Sequence, residues 1–314
     1  MRSLPKLLHC FTVVLTFLFS IAATNVWADD YQGFPPDIKR IKERGKLIVA
    51  MYYKDVKPFM FHKDGLLAYE EDKGYLVSDD GSRIDCSDQP EVCGFSKEYF
   101  IGHDVELARS IANALGVELE FDRSPKTFNA ITDLVASEKA DMAISLVSKT
   151  LTRAQKVRFS KPYLVLKPII LMNRLDAERY KIDPNDPLAA LKRFSGKISE
   201  KKGTSYINVA KELFPESEII EQKEWIDAME SVLERGVIAI RDEIGVKNYI
   251  SKYPDQSINM QMISLAAPRF ADPIAIVLPA NSVHLQEYVN LHLDKHGAIG
   301  NADNLLGQYR EYYE

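Results

Sequence analysis

"GHDVELARSIANALGVELEF", Gly102–Phe121, changes its hydrophobic period part-way. Val105, Ala108, Ala112 and Leu115 recur at spacings of three and four, which puts them on one helix face. Asp104 is the expected N-cap and Gly116 the stop. "VELEF" then reads as a strand. The same alternation extends in both directions. "KLIVAMYY" (46–53) precedes it as a strand, and "TFNAITDLVASEKA" (127–140) and "DMAISLV" (141–147) follow as helix and strand. After Tyr163 the pattern restarts. "LVLKPIILMN" reads as a strand, "PLAALKRFSG" and "SYINVAKELFP" as helices, "SEIIEQ" as a strand, "EWIDAMESVLERG" as a helix and "VIAIRD" as a strand. "DPIAIVLP" and "SVHLQEYVNLHLDKHG" add a strand and a helix, and the last residues look helical. Two successive βα blocks predict an α/β fold in two lobes, each a mostly parallel sheet covered by helices.

The chain has 314 residues and a net charge of −5, without the basic face that a nucleic-acid binder needs. Arg2 and Lys6 stand ahead of an apolar segment from Phe11 to Ala23, with Val26 and Ala28 at the −3 and −1 positions of a cleavage site. Residues 1–28 therefore read as a cleavable secretory signal peptide, which predicts a periplasmic location. No later segment approaches the ~18 consecutive apolar residues of a spanning helix. Of three cysteines only Cys86 and Cys93 follow that peptide, and in an oxidising compartment they most simply form a disulfide.

In an open α/β sheet, ligands collect beyond the carboxyl ends of the strands, and Ser145–Thr152 and Asp242 lie at such ends. "SLVSKTLTRAQKVRFSKPY" (145–163) sets hydroxyls and Arg153 just past an apolar run. Arg153 is either a solvated side chain or a fixed cation whose planar fork matches a carboxylate. Asp242 is either the N-cap of a following helix or an acid that receives a ligand's cation. Gly203, Thr204 and Ser205 open a helix, where free amides favour an anion. Tyr52, Tyr53, Phe59 and Phe61 either pack a core or cover a ligand. Lys149, Lys161 and Arg241 are candidates for a second anionic group. His292 and His296 have the spacing of a metal pair but no third ligand is evident, so no metal is expected.

"GHDVELARSIANALGVELEF", "ADMAIS…TLTRAQKVRFSKPY", "GTSY" and "GVIAIRDE" stand in the order and spacing of a known family. The chain resembles the family 3 solute-binding proteins, extracytoplasmic receptors of polar amino-acid ABC importers. The resemblance implies a type II periplasmic-binding-protein fold, with two lobes joined by two crossing strands and closing on one amino acid. Lobe 1 would span residues 29–167 plus 270–314, with an acidic insertion at 66–100, and lobe 2 residues 168–269. Carried over, Arg153 matches the arginine that grips the ligand α-carboxylate, and Asp242 the acid that takes its α-ammonium. Ser148 and Thr204 match donors to the carboxylate, and Tyr52 and Phe59 fall near the aromatic positions covering the ligand. The implied protein is a monomer that hands a small molecule to an inner-membrane permease, with no cofactor and no catalysis.

Three departures stand out. His103 replaces an aromatic residue, Leu146 stands where a small or hydroxyl residue is common, and residues 66–100 carry nine acids against three bases. That insertion has too few large apolar residues for a core of its own and is expected to be a surface excursion. A secreted lyase-type enzyme on the same fold, and a soluble sensor or partner-binding subunit, are the rival functions.

Overall fold

The computed structural model describes residues 32–63, 67–70, 75–78, 81–88, 95, 99–183, 186–296, 299 and 301–313; the expected signal peptide lies outside them. Helix His103–Leu115 buries Val105, Ala108, Ala112 and Leu115, the face read from the period, together with Leu107 and Ile111. Its cap differs from expectation. Gly102 is the N-cap at φ 121°, and a Cβ there would meet the Phe59 carbonyl oxygen at 2.5 Å. Only glycine tolerates both conditions. Asp104 lies inside the first turn, fully buried, accepting hydrogen bonds from Leu146 N (2.8 Å) and Tyr163 Oη (2.9 Å). Burial pushes its carboxyl up to about 7.

The helix covers a five-stranded sheet in the order Glu118–Asp122, Lys46–Ala50, Met142–Ala143, Asp272–Pro279, Val157–Leu166. The first three strands pair in parallel, and Asp272–Pro279 is antiparallel to both of its neighbours. A second sheet runs Glu218–Gln222, Lys197–Lys201, Val237–Asp242, Pro168–Asn173, Met260–Ser264. Its first three strands are parallel and Pro168–Asn173 is antiparallel to both neighbours. Both sheets are thus mixed. The stretch "LVLKPIILMN", which reads as one strand, is divided at Lys167: Val157–Leu166 closes the first sheet and Pro168–Asn173 enters the second. The chain returns to the first sheet between Met260–Ser264 and Asp272–Pro279. Each sheet has its own apolar packing, around Val49, Ile111 and Ile276 in one case and Ile170, Ile198 and Ile240 in the other.

The acidic insertion contributes a three-stranded antiparallel sheet, Leu67–Glu70, Tyr75–Ser78 and Arg83–Asp85. It is not purely a surface excursion. Phe95 and Phe100 pack on Phe121 with ring centroids 5.5 and 5.3 Å apart, and Arg109 donates to the carbonyls of both. The far end of the insertion therefore belongs to the first core. Cys86 is disulfide-bonded, while Cys93 lies outside the described residues.

A buried ionic cluster ties this region to the sheet edge. Asp55 accepts from Arg123 Nη1 at 2.9 Å and lies 2.9 Å from His62 Nδ1. Arg123 also donates to the Tyr52 carbonyl (3.0 Å), with its guanidinium over Phe100. Burial alone would raise the Asp55 carboxyl, but Arg123 and His62 outweigh it and hold the group below the usual carboxylate range. Removing one member of such a cluster strands a charge, at a cost of about 3–5 kcal/mol. Arg123→Met is accordingly expected to lower the unfolding free energy by about that amount. A shifted urea midpoint at unchanged slope checks it, and an unaltered midpoint refutes it.

Candidate functional site

The two sheets meet at a small cavity of about 50 Å³ whose walls come from both. Arg153 reaches it from the short helix Leu151–Ala154, which Thr150 caps by accepting from Arg153 N at 3.2 Å. Arg153 as a residue is 7 % exposed, which removes the solvated reading. Arg153 Nη1 donates to the Ser148 carbonyl (3.0 Å), while Nη2 faces Asn129 Oδ1 (3.4 Å) and the Gly203 carbonyl (3.5 Å). Burial lowers its pKa and nearby Asp272 opposes that. A guanidinium starts so basic that it stays charged.

Asp242 ends strand Val237–Asp242 on the other side of the cavity. It is the N-cap of helix Glu243–Lys252, with Oδ1 accepting from Gly245 N at 2.7 Å, and the residue also lines the cavity. Ser148, Thr204 and Ser205 also line it. Ser148 Oγ and Ser205 Oγ are 2.9 Å apart, joining a loop of the first sheet to the helix start of the second. Thr204 Oγ1 donates to the Lys201 carbonyl, which pins the turn that precedes helix Tyr206–Leu213. Gly203 has φ 78°, a conformation that favours glycine.

Tyr52 forms an aromatic wall, stacked on Phe128 at 5.2 Å and 6° between planes. Its hydroxyl accepts from Lys201 Nζ across the cleft at 2.8 Å, and Lys201 also pairs with Glu224 (3.2 Å). Phe59 does not share this position. It has no exposed surface and packs in the first core, within the turn that the bridge between Val56 and Met60 closes. His292 Nε2 pairs with Ser110 Oγ at 3.0 Å, and no cluster of three or more metal-ligating side chains occurs among the described residues.

Among the lining residues that escaped the assignment from sequence are Asp272, Tyr206 and Trp225. Asp272 Oδ2 accepts from Tyr206 Oη (2.8 Å) and Ser148 Oγ (3.0 Å). Burial pushes its carboxyl up to about 6 despite those two hydrogen bonds. The one signal available was an acid opening an otherwise apolar strand, "DPIAIVLP".

Residues 88–311 match the family described as bacterial extracellular solute-binding proteins, family 3. The chain belongs to this family. Among solved structures, this solute-binding protein is similar to an amino acid ABC transporter substrate-binding protein from Streptococcus pneumoniae bound to L-arginine. That likeness has a TM-score of 0.60 and 25 % identity, and covers 88 % of this chain and 98 % of that one. A mutant of the protein ArgBP from T. maritima shares the fold at a TM-score of 0.56 and 21 % identity, over 88 % and 95 % of the two chains. A probable histidine-binding protein of Campylobacter jejuni is 32 % identical over 111 residues, which span 35 % of this chain and 39 % of that relative.

The raised Asp272 carboxyl has a stability consequence. Its proton is held more tightly folded than unfolded, so its contribution is fully present below about pH 4 and is lost as pH rises through about 6. Asp272→Asn cannot ionise. The variant is expected to gain on the wild type between pH 4 and 7, by on the order of 2–3 kcal/mol. Urea unfolding at pH 4, 5, 6 and 7 measures the difference; a gap independent of pH would contradict it.

Proposed function

We propose that this solute-binding protein captures one α-amino acid in the cavity between its two sheets and delivers it to an ABC importer outside the cytoplasm. The observation that carries the reading is that Arg153 and Asp242, from opposite sheets, line one small cavity. A zwitterion spanning them makes both contacts only when the sheets are drawn together, so ligand free energy favours closure. In this reading Arg153 holds the α-carboxylate with Ser148, Thr204 and Ser205, Asp242 takes the α-ammonium, and Tyr52 covers the ligand. The moving bodies are residues 29–167 with 270–314, and residues 168–269. Residues 1–28 direct export, and Cys86 pairs with Cys93. An arginine-bound structural relative and a probable histidine-binding relative support an amino acid as ligand.

Arg153→Lys keeps the charge but removes the fork, and is expected to weaken amino-acid binding at least tenfold, about 1.4 kcal/mol. Calorimetry with the ligand identified by mass spectrometry of denatured protein checks this; unchanged affinity removes Arg153 from the site. Asp242→Asn should weaken amino acids far more than des-amino analogues, since only the former carry the ammonium. Equal loss for both would assign Asp242 to the helix cap alone.

Asp272 favours one second reading, a lyase on the same fold. A carboxyl near 6 in a buried site is suited to proton transfer. Incubating the recovered ligand with protein and following its mass decides between them, because a receptor returns the ligand unchanged.

A further inference from the structure

The cavity is lined by four charged side chains, Arg153, Arg241, Asp242 and Asp272, and three of them have strong local partners. Arg153 donates to backbone carbonyls, Asp242 accepts from Gly245 N, and Asp272 accepts from Tyr206 and Ser148. Arg241 is different. Its Nη1 faces the thioether of Met229 at 3.3 Å, a weak acceptor. Its Nε is buried with no hydrogen-bond partner, and the nearest carboxylate oxygen, Asp242 Oδ2, is 3.8 Å away. That separation permits an ion pair but not a hydrogen bond. A buried donor on a charged group without an acceptor is costly, and something that supplies one is strongly favoured.

The surroundings hold this guanidinium in place. It lies over the Trp225 ring at 4.6 Å, which fixes its plane. It also occupies the space left by the missing side chain of Gly245, where a Cβ would stand 2.0 Å from Nε. The result is a planar guanidinium held in one orientation in the cavity wall, the group whose geometry suits a carboxylate.

We infer that Arg241 is the residue that selects the ligand side chain, and that the ligand is a small acidic amino acid whose side-chain carboxylate meets Arg241. This rests on the amino-acid reading above, with Arg153 and Asp242 taking the α-groups. A basic side chain would instead set a cation against Arg241, while of the two lining acids Asp242 is taken by the α-ammonium and Asp272 by Tyr206 and Ser148. Selectivity then runs opposite to the arginine-bound relative, through a residue and a packing arrangement of this chain.

The test is calorimetry on protein stripped of ligand by unfolding and refolding, titrated with L-aspartate, L-glutamate, L-glutamine, L-alanine, L-arginine and L-histidine. Aspartate or glutamate is expected to bind at least tenfold more tightly than alanine, arginine or histidine. Arg241→Gln should cost the acidic ligand at least tenfold and bring it within threefold of glutamine. Gly245→Ala, which pushes the guanidinium aside and suits a helix, should weaken the acidic ligand at least threefold while alanine changes little. The Gly245 variant keeps the test decisive if Arg241→Gln fails to fold. Preference for arginine, histidine or alanine in the wild type, or acidic affinity indifferent to both variants, overturns the inference and leaves the amino-acid reading standing. Binding of no amino acid at all overturns both.

Discussion

Asp272 Oδ2 accepts hydrogen bonds from Tyr206 of the second sheet's helix and from Ser148 of the first sheet's loop, and Ser148 in turn meets Ser205. Asp272 itself opens the strand by which the chain returns to the first sheet. One buried carboxylate therefore stands where the two halves of the cavity wall and a crossing segment meet. Its hydrogen bonds depend on Tyr206 and Ser148 lying at one place, and hence on the halves being drawn together. The cost is visible in its proton affinity, because a carboxyl so enclosed resists ionising.

Around that point four charged side chains stand among apolar and aromatic walls that include Phe128, Leu146 and Trp225. Cations and acids alternate across a small volume, with Arg153 and Asp272 on the first sheet's side and Arg241 and Asp242 on the second's. Glu200 lies next to this group on strand Lys197–Lys201, and burial raises its carboxyl well above the usual range, which weakens it as a counter-ion for Arg241. Asp242 remains as the nearby acid, shared with the helix it caps. The second contact across the cleft, Lys201 with Tyr52 and Glu224, lies beside the cavity and is held by its own acid.

Helix His103–Leu115 and strands Val237–Asp242 and Asp272–Pro279 were legible because their periodicity is a local property of the chain. So was the placement of Arg153, Ser148, Thr204, Ser205, Asp242 and Tyr52 at or near strand ends and helix starts, while their joint role came from the family resemblance. Asp104 was misplaced as a cap because an acid at a helix start looks the same whether it turns back to its own backbone or inward to Leu146 and Tyr163. The break at Lys167 left no mark in the hydrophobic pattern, and only the family resemblance put a boundary there. A run of apolar residues reads as one strand whether it serves one sheet or two.

The sequence by itself determined the alternation of strands and helices, the positions of the charged and hydroxyl residues at their ends, and the family pattern that orders them. These depend on spacing along the chain. Only the tertiary structure decided which of those residues share a cavity, that Phe59 turns into the core while Tyr52 faces the cleft, and that Asp272 and Arg241 join the charged lining. Those outcomes depend on pairing between segments far apart in sequence, such as Tyr206 with Asp272, and on burial, which sets the pKa of a carboxyl and the partners of a guanidinium. Neither quantity is a property of a residue and its neighbours in the chain.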